Sequence, residues 1–133
     1  MRAGWLPAGV ALLTLCDAAG TLAADDAERG EVIFKKCYAC HSMVPGETGL
    51  SGPNLAAVLG RAVASVPDFD YSDALEALPA RGYGTWTRAT LDAFIASPED
   101  FAPDTTMTFV GMPDPEERAD LIAYLARTGS GEE

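Results

Sequence analysis

The segment that decides the fold is Cys37-Tyr38-Ala39-Cys40-His41, in which two cysteines are separated by two residues and followed at once by a histidine. At the end of a helix, cysteines with this spacing lie about one turn apart, so both thiols can reach the two vinyl groups on one edge of a porphyrin. The histidine is then placed beneath the iron. The segment therefore predicts one haem c, attached through Cys37 and Cys40 and ligated by His41.

Two other roles of a Cys-x-x-Cys pair are less well supported. A thioredoxin-like redox pair and half of a zinc site both contain such a pair, but neither requires a histidine directly after the second cysteine. His41 is the only histidine of the chain, so a four-ligand zinc site lacks partners. The third cysteine, Cys16, lies in an N-terminal stretch that we expect to be removed.

That N-terminal stretch has the pattern of a secretory signal. Arg2 supplies a positive start, residues 5–15 are mostly apolar, and small residues precede Asp25. A retained membrane anchor is the alternative, but spanning a bilayer takes about 20 apolar residues and this run is shorter. We predict a signal peptide over residues 1–24 and an exported domain over residues 25–133, which in a bacterium lies in the periplasm without stable membrane insertion.

The composition limits the classes of partner. The chain has a formal net charge of −11 over 133 residues, and its few basic residues are scattered apart from Lys35-Lys36. Nucleic acid and anionic membrane surfaces are therefore poor partners. The length allows one small domain, in which a bound haem would form part of the core.

Capping residues and apolar spacing predict five helices, long loops and no strand. The first helix is expected to be capped by Asp25 and Asp26 and to deliver the cysteines. The other four are expected to begin after Asn54, Ser72, Thr87 and Asp114 and to end at Gly60, Pro79, Ser97-Pro98 and Gly129. The pattern predicts an all-α fold.

The second axial ligand of the iron cannot be a histidine, because the chain has only one, so the sixth position holds a methionine, a lysine, water or nothing. Met43 is two residues beyond His41, a tether too short to cross to the opposite face of the ring. Met107 and Met112 both lie far enough along the chain. Spacing alone does not choose between them.

The chain resembles the mitochondrial-type class I cytochromes c over essentially all of residues 25–133. The matching segments are Cys37-Tyr38-Ala39-Cys40-His41, Gly52-Pro53-Asn54-Leu55, Gly60-Arg61, Tyr71-Ser72-Asp73-Ala74, Trp86, Met107-Thr108-Phe109-Val110-Gly111 and Asp120-Leu121-Ile122-Ala123-Tyr124-Leu125. The resemblance implies the small cytochrome c fold, with helices and long loops around one covalent haem. It also implies that Met107 is the sixth ligand.

The same resemblance implies roles for the other residues around the haem. The carbonyl of Pro53 accepts a hydrogen bond from the His41 imidazole, which orients the ligand and raises its basicity. The implied partners of the haem propionates are Arg61, Tyr71, Trp86 and Thr105, while Phe109 shields the methionine side of the haem and Gly30 packs against Tyr124 where the first and last helices cross.

Three departures from the family pattern affect these expectations. Phe94 stands where many members have a tyrosine whose hydroxyl points at the axial sulfur. The chain is longer near residues 78–84, beside the propionates. Residues 98–106 carry acids where the mitochondrial pattern has lysines, so we expect a redox partner with a basic or neutral docking face. The alternative is that these acids form only a solvated face that confers solubility.

The sequence therefore predicts a monomeric, periplasmic carrier of single electrons, with no enzymatic activity and no catalytic residues. One alternative is a haem enzyme or gas sensor with a labile sixth ligand. Another is a dedicated cytochrome subunit of a periplasmic redox complex. The sequence alone separates these poorly.

Overall fold

The computed structural model describes Gly4 and residues 18–128, with side chains from residue 26 onward. Within this part it contains five α-helices and one 3-10 helix: α1 Ala18–Phe34, α2 Asp73–Glu76, α3 Arg88–Ala96, α4 Pro98–Phe101 and α5 Pro115–Arg127, with the 3-10 helix at Pro79–Arg81. No strand occurs in these residues, and a single antiparallel bridge joins Ala62 to Thr85. The all-α prediction is confirmed.

None of the helices within residues 18–128 is both long enough and apolar enough to cross a membrane. The predicted signal peptide lies mostly outside the described residues. The helix α1, however, begins at Ala18, so the cap predicted at Asp25 and Asp26 is wrong for this chain. Residues 18–24 are rich in alanine and contain no proline, and alanine has the highest helix propensity, so the helix extends upstream of Asp25.

Helices α1 and α5 cross at Gly30, as the resemblance implied. A Cβ atom added to Gly30 would lie 2.7 Å from the Cβ of Tyr124 and 2.7 Å from the carbonyl carbon of Asp120. Only glycine therefore allows this approach. Beside the crossing, Arg29 Nε donates to Asp120 Oδ2 at 2.9 Å, and Lys36 Nζ lies 3.1 Å from Glu117 Oε2.

The helix predicted from Asn54 to Gly60 does not form. Asn54 Oδ1 does accept a hydrogen bond from the amide of Ala56 at 2.8 Å, as an N-cap would. The next residue, Ala57, has a φ of 56°, which is left-handed and stops helical propagation. The Asn54 amide group instead donates to the carbonyls of Val44 and Glu47, closing the loop that follows His41.

The remaining caps follow the sequence closely. The side chains of Ser72, Thr87 and Asp114 accept hydrogen bonds from backbone amides at the starts of α2, α3 and α5. Ser97 caps a helix that was not predicted, α4, because the serine and the following proline start a new helix as well as end the previous one. Helix α5 ends at Arg127, and the predicted end at Gly129 lies outside the described residues.

We expect Thr87→Ala to lower the free energy of unfolding by about 1 kcal/mol, because the variant loses the cap of α3. Thr87 Oγ1 accepts from the Thr90 amide at 3.1 Å and pairs with Thr90 Oγ1 at 2.9 Å. Denaturant titration of the holoprotein measures the effect. Thr85→Ala is the matched control at an exposed threonine, and an equal loss there would contradict a specific role of the cap.

Candidate functional site

A cavity of about 500 Å³ lies between α1, α3, α5 and the loops that connect them. This volume is within the range of cofactor-binding pockets. Its walls are largely apolar, and they include the side chains of Phe34, Val58, Leu91, Ile95, Leu121 and Leu125. The cavity is therefore suited to binding a large apolar group.

The ten residues that the sequence singled out all line this one cavity: Cys37, Cys40, His41, Pro53, Arg61, Tyr71, Trp86, Thr105, Met107 and Phe109. They come from segments that are widely separated in the chain. The fold therefore brings together thiols, an imidazole, a thioether, a guanidinium and aromatic rings around a single space.

The cysteines lie in the turn that follows α1. The backbone amides of Cys40 and His41 both donate to the carbonyl of Cys37, at 3.1 and 3.0 Å, so the three residues form one tight turn. Cys37 is half-buried and Cys40 is exposed. Burial raises the pKa of the Cys37 thiol, although the neighbouring Lys36 opposes the shift.

His41 is buried and held by its neighbours. Its Nδ1 lies 2.7 Å from the carbonyl oxygen of Pro53, a distance at which the ring nitrogen donates to that oxygen. A Cβ atom on Gly52 would lie 2.5 Å from Cε1 of His41, so glycine is required beside the ring. Burial lowers the pKa of His41, while the bond to Pro53 opposes this shift. The imidazole is therefore held neutral, with Nε2 free to act as a metal ligand.

The positions of the methionines differ sharply. Met107 is half-buried and lines the cavity. Met112 is 2% exposed within the apolar core, where its amide donates to the carbonyl of Ile95 at 2.9 Å, and it does not line the cavity. Met43 packs against the core without lining the cavity. Among these three, only Met107 shares the space that His41 borders.

Arg61 carries a polar atom that suits an anionic group. One terminal nitrogen donates to the carbonyl of Ala56 at 3.2 Å, whereas the buried Nε–H has no hydrogen-bond partner among the residues described. Such an unpaired buried donor costs roughly 1–3 kcal/mol. Burial also lowers the pKa of Arg61, although not enough to discharge a guanidinium at neutral pH. A carboxylate in the cavity would satisfy this donor.

Other cavity residues are fixed by contacts outside it. The Tyr71 hydroxyl accepts from the amide of Val66 at 3.1 Å. Trp86 is 6% exposed, and its backbone amide donates to the carbonyl of Arg61 at 2.9 Å. Phe94 lies against Trp86 with ring centroids 5.3 Å apart. These aromatic residues are thus held rigidly in the cavity wall.

Sequence reasoning missed Phe69, which also lines the cavity. Its ring meets that of Tyr71 edge-on, with centroids 4.8 Å apart. The spacing of these two aromatic residues was an available signal, since residues two apart in an extended segment point to the same side.

The residue types that line the cavity, and their arrangement, fit a covalently attached haem with two propionate groups.

The comparisons with known proteins agree with this chemistry. Residues 27–129 match the family model described as cytochrome c. The chain is 41% identical over 108 residues to a cytochrome c2 of Rhodomicrobium vannielii, a match that covers 81% of this chain and 83% of that protein. It is 36% identical over 105 residues to a cytochrome c2 of Agrobacterium tumefaciens, covering 79% of this chain and 94% of that one.

Some relatives are longer than this chain. A protein of Rhodobacter capsulatus named cytochrome c-type cyt cy is 44% identical over 101 residues, which cover 75% of this chain but only 48% of that protein. The chain thus spans about half the length of this relative.

A helical domain in which a Cys-x-x-Cys-His turn borders a large apolar cavity belongs to the class of haem c proteins. The chain belongs to the cytochrome c family. It carries single electrons on a haem c bound covalently through Cys37 and Cys40.

Proposed function

We propose that the haem iron of this carrier is ligated by His41 and Met107. The observation that carries the proposal is that Met107 borders the same cavity as His41, whereas Met112 and Met43 do not. The haem supplies the reversible exchange of one electron between ferrous and ferric iron. The protein residues supply its ligands, its orientation and its surroundings.

Pro53 and Gly52 orient the proximal ligand. The Pro53 carbonyl accepts the Nδ1 proton of His41, which fixes the tautomer and raises the basicity of the other nitrogen. The close approach at Gly52 restricts rotation of the ring. These two contacts restrict His41 to one orientation, which would limit the movement of this ligand when the iron changes oxidation state.

Arg61, Tyr71, Trp86 and Thr105 are proposed to hold the haem propionates. The unpaired Nε–H of Arg61 is the clearest support, because a buried donor and a buried carboxylate satisfy each other. The Trp86 indole is a donor, and the Tyr71 and Thr105 hydroxyls can donate as well as accept. Together they would neutralise a charge that apolar walls cannot solvate.

The apolar wall near Met107 favours the reduced state. Phe94 and Phe109 line the cavity and contribute no charge. A neutral thioether ligand and a buried site both disfavour the extra positive charge of ferric iron, so a positive reduction potential is expected. Phe94 also lacks a hydroxyl that could donate to the sulfur.

Absorption spectra with and without carbon monoxide test this proposal. The oxidised protein should show sulfur-to-iron charge transfer, and the reduced protein should resist the gas. The absence of a hydroxyl on Phe94 gives some support to a labile sixth ligand, and therefore to a haem enzyme or gas sensor. Rapid binding of carbon monoxide by the wild-type protein would favour that second function and contradict the carrier with two firm ligands.

We further propose that a monomer docks onto a partner with a basic or neutral face. Glu99, Asp100 and Asp104 are all exposed on the segment that precedes Met107. Glu99 Oε1 accepts from the Asp104 amide at 3.0 Å, so the segment holds its acids in a fixed arrangement. Charges that surround a docking surface steer association over distances near the Debye length, about 8–10 Å at ordinary ionic strength.

The acidic segment should make electron exchange with a basic redox protein slow down as salt is added. The double variant Glu99→Gln/Asp100→Asn keeps the hydrogen-bond acceptors and removes two charges. We expect it to flatten the dependence of the bimolecular rate on ionic strength in stopped-flow measurements with a cytochrome c of net positive charge as acceptor. The control, Glu28→Gln/Glu31→Gln on α1, removes the same charge from exposed sites. Equal flattening by both variants would argue for net charge alone.

Export is proposed from the N-terminal pattern of Arg2, an apolar run and small residues. The mature protein is expected in the periplasm, beginning at Asp25. Intact-mass measurement of protein purified from the periplasm tests this, because removal of residues 1–24 changes the mass by an amount that the sequence fixes. A haem-bearing protein that retains those residues would contradict the proposed processing.

A further inference from the structure

We infer that Arg118 is a positioning residue that keeps Met107 on the iron by fixing one end of the Met107 loop, defined as residues 102–114 between α4 and α5. This inference rests on the proposed ligation by Met107. Arg118 does not line the cavity. It acts through the backbone that leads to the ligand.

The side chain of Arg118 joins three parts of the fold. Its Nε donates to Asp92 Oδ1 on α3 at 2.7 Å. One terminal nitrogen donates to the carbonyl of Met112 at 2.8 Å and to that of Pro113 at 2.9 Å. Arg118 itself belongs to α5. One guanidinium thus ties α3, α5 and the end of the Met107 loop together.

These bonds are partly shielded from water. The Arg118 side chain is 12% exposed, whereas that of Asp92 is 47% exposed. Hydrogen bonds from a charged donor are stronger than neutral ones, and burial of the donor limits competition from water. The two carbonyl contacts are therefore expected to matter more than the half-exposed ion pair.

The same end of the loop packs closely on α3. The Met112 amide donates to the carbonyl of Ile95 at 2.9 Å. Gly111 has a φ of 111°, and a Cβ atom there would lie 3.1 Å from the carbonyl carbon of Ala96. Because Ile95 lines the cavity, these contacts of Gly111 and Met112 with α3 attach the end of the loop to the cavity wall.

The middle of the loop has weaker restraints of its own. The Met107 amide donates to Thr105 Oγ1 at 3.3 Å, which is long for a hydrogen bond. Val110 is 91% exposed and so contributes little packing. Met107 and Phe109 pack against the apolar core, but the position of Met107 also depends on how firmly the two ends of the loop are held. Arg118 holds the later end.

An arginine is suited to this task for a geometric reason. Its planar fork presents several donors in fixed directions, so it can bond a carboxylate on one side and two carbonyls on another. A lysine would present a single ammonium group at the end of a flexible chain. Arg118→Lys should therefore keep the charge but release the loop in part.

The test measures the affinity of the ferric holoprotein for imidazole, which competes with Met107 for the iron. We expect Arg118→Gln to raise that affinity about tenfold or more. In the wild type, opening the loop breaks charge-assisted hydrogen bonds that change the equilibrium constant by at least about tenfold, and the variant lacks these bonds. Arg118→Lys should lie between wild type and Arg118→Gln. Asp92→Asn spares the carbonyl contacts and should raise the imidazole affinity by less than Arg118→Gln does. It replaces Arg118→Gln in the test if that variant folds poorly.

Arg29→Gln is the matched control. Arg29 also bridges two helices, with its Nε 2.9 Å from Asp120, but it lies at the crossing of α1 and α5 rather than at the Met107 loop. Because the Arg29 side chain is 56% exposed, we expect at most a small drop in the thermal midpoint and a change in imidazole affinity of less than about twofold. If Arg118→Gln likewise lowers only the midpoint, Arg118 is structural and the inference is wrong.

Met107→Ala distinguishes a failure of the positioning role of Arg118 from a failure of the proposed ligation by Met107. If it raises imidazole affinity and Arg118→Gln does not, only the positioning role fails. If Met107→Ala leaves the affinity unchanged, ligation by Met107 fails and the positioning role fails with it.

Discussion

Met107→Ala is expected to convert the reduced protein from one that resists carbon monoxide into one that binds it fully, and to lower the reduction potential by on the order of a few hundred millivolts. The alanine removes the thioether from the cavity that His41 borders, and the chain has no second histidine to replace it. Spectroelectrochemistry and carbon monoxide titration of the purified holoprotein measure both effects.

Met112→Ala is the control, because it removes an identical side chain five residues away. Met112 is 2% exposed in the core, so we expect a loss of about 2–5 kcal/mol in the free energy of unfolding. The charge-transfer absorption and resistance to carbon monoxide should remain in the folded protein. An open sixth position caused by Met112→Ala, and not by Met107→Ala, would refute the choice of ligand.

Gly30→Ala should destabilise the fold strongly, although the residue lies outside the cavity. The added methyl group would meet the backbone of Asp120 and the Cβ of Tyr124, and neither can rotate away. Overpacking usually costs about 1–3 kcal/mol, and a clash with backbone at a helix crossing should cost about 3 kcal/mol or more. Denaturant titration of the holoprotein measures the change.

Gly84→Ala is the matched control for that substitution. A Cβ atom there has nothing within 4 Å, and the residue is exposed. We expect a change within about 0.5 kcal/mol, which is typical of exposed sites. Comparable losses at Gly30 and Gly84 would mean that the effect arises from glycine replacement in general rather than from the helix crossing.

The residues around the cavity were largely predictable because their chemistry is specific. A Cys-x-x-Cys-His segment has few uses, and a single histidine narrows the choice of axial ligands. Spacing left Met107 and Met112 equivalent, and the resemblance favoured Met107. The structure adds the physical difference between them: one lines the cavity and the other is packed in the core.

The errors in secondary structure have a common cause. Capping residues mark positions where side chains bond the backbone, but they do not determine what the chain does next. Asn54 makes the expected local bond and then closes a loop, because Ala57 adopts a left-handed conformation. Ser97 starts a short helix where only an end was expected. Asp25 and Asp26 lie inside α1, because the residues before them also favour a helix.

The Arg118 contacts could not have been predicted from the sequence. An arginine on α5 has many possible partners, and an aspartate 26 positions earlier gives no sign of being one of them. The carbonyls of Met112 and Pro113 are backbone groups, which any sequence would offer. Only the fold shows that one side chain reaches both.

The crossing of α1 and α5 joins the two ends of the described chain, with Arg29 and Asp120 separated by 91 positions. Closing so long a loop costs chain entropy before the contact can stabilise the fold, and non-local contacts of this kind slow folding overall. A chain that crosses a membrane N-terminus first would therefore remain open until its last helix arrives. If the chain is exported as proposed, the two thiols would stay accessible during that interval, and haem attachment could precede closure of the α1–α5 crossing.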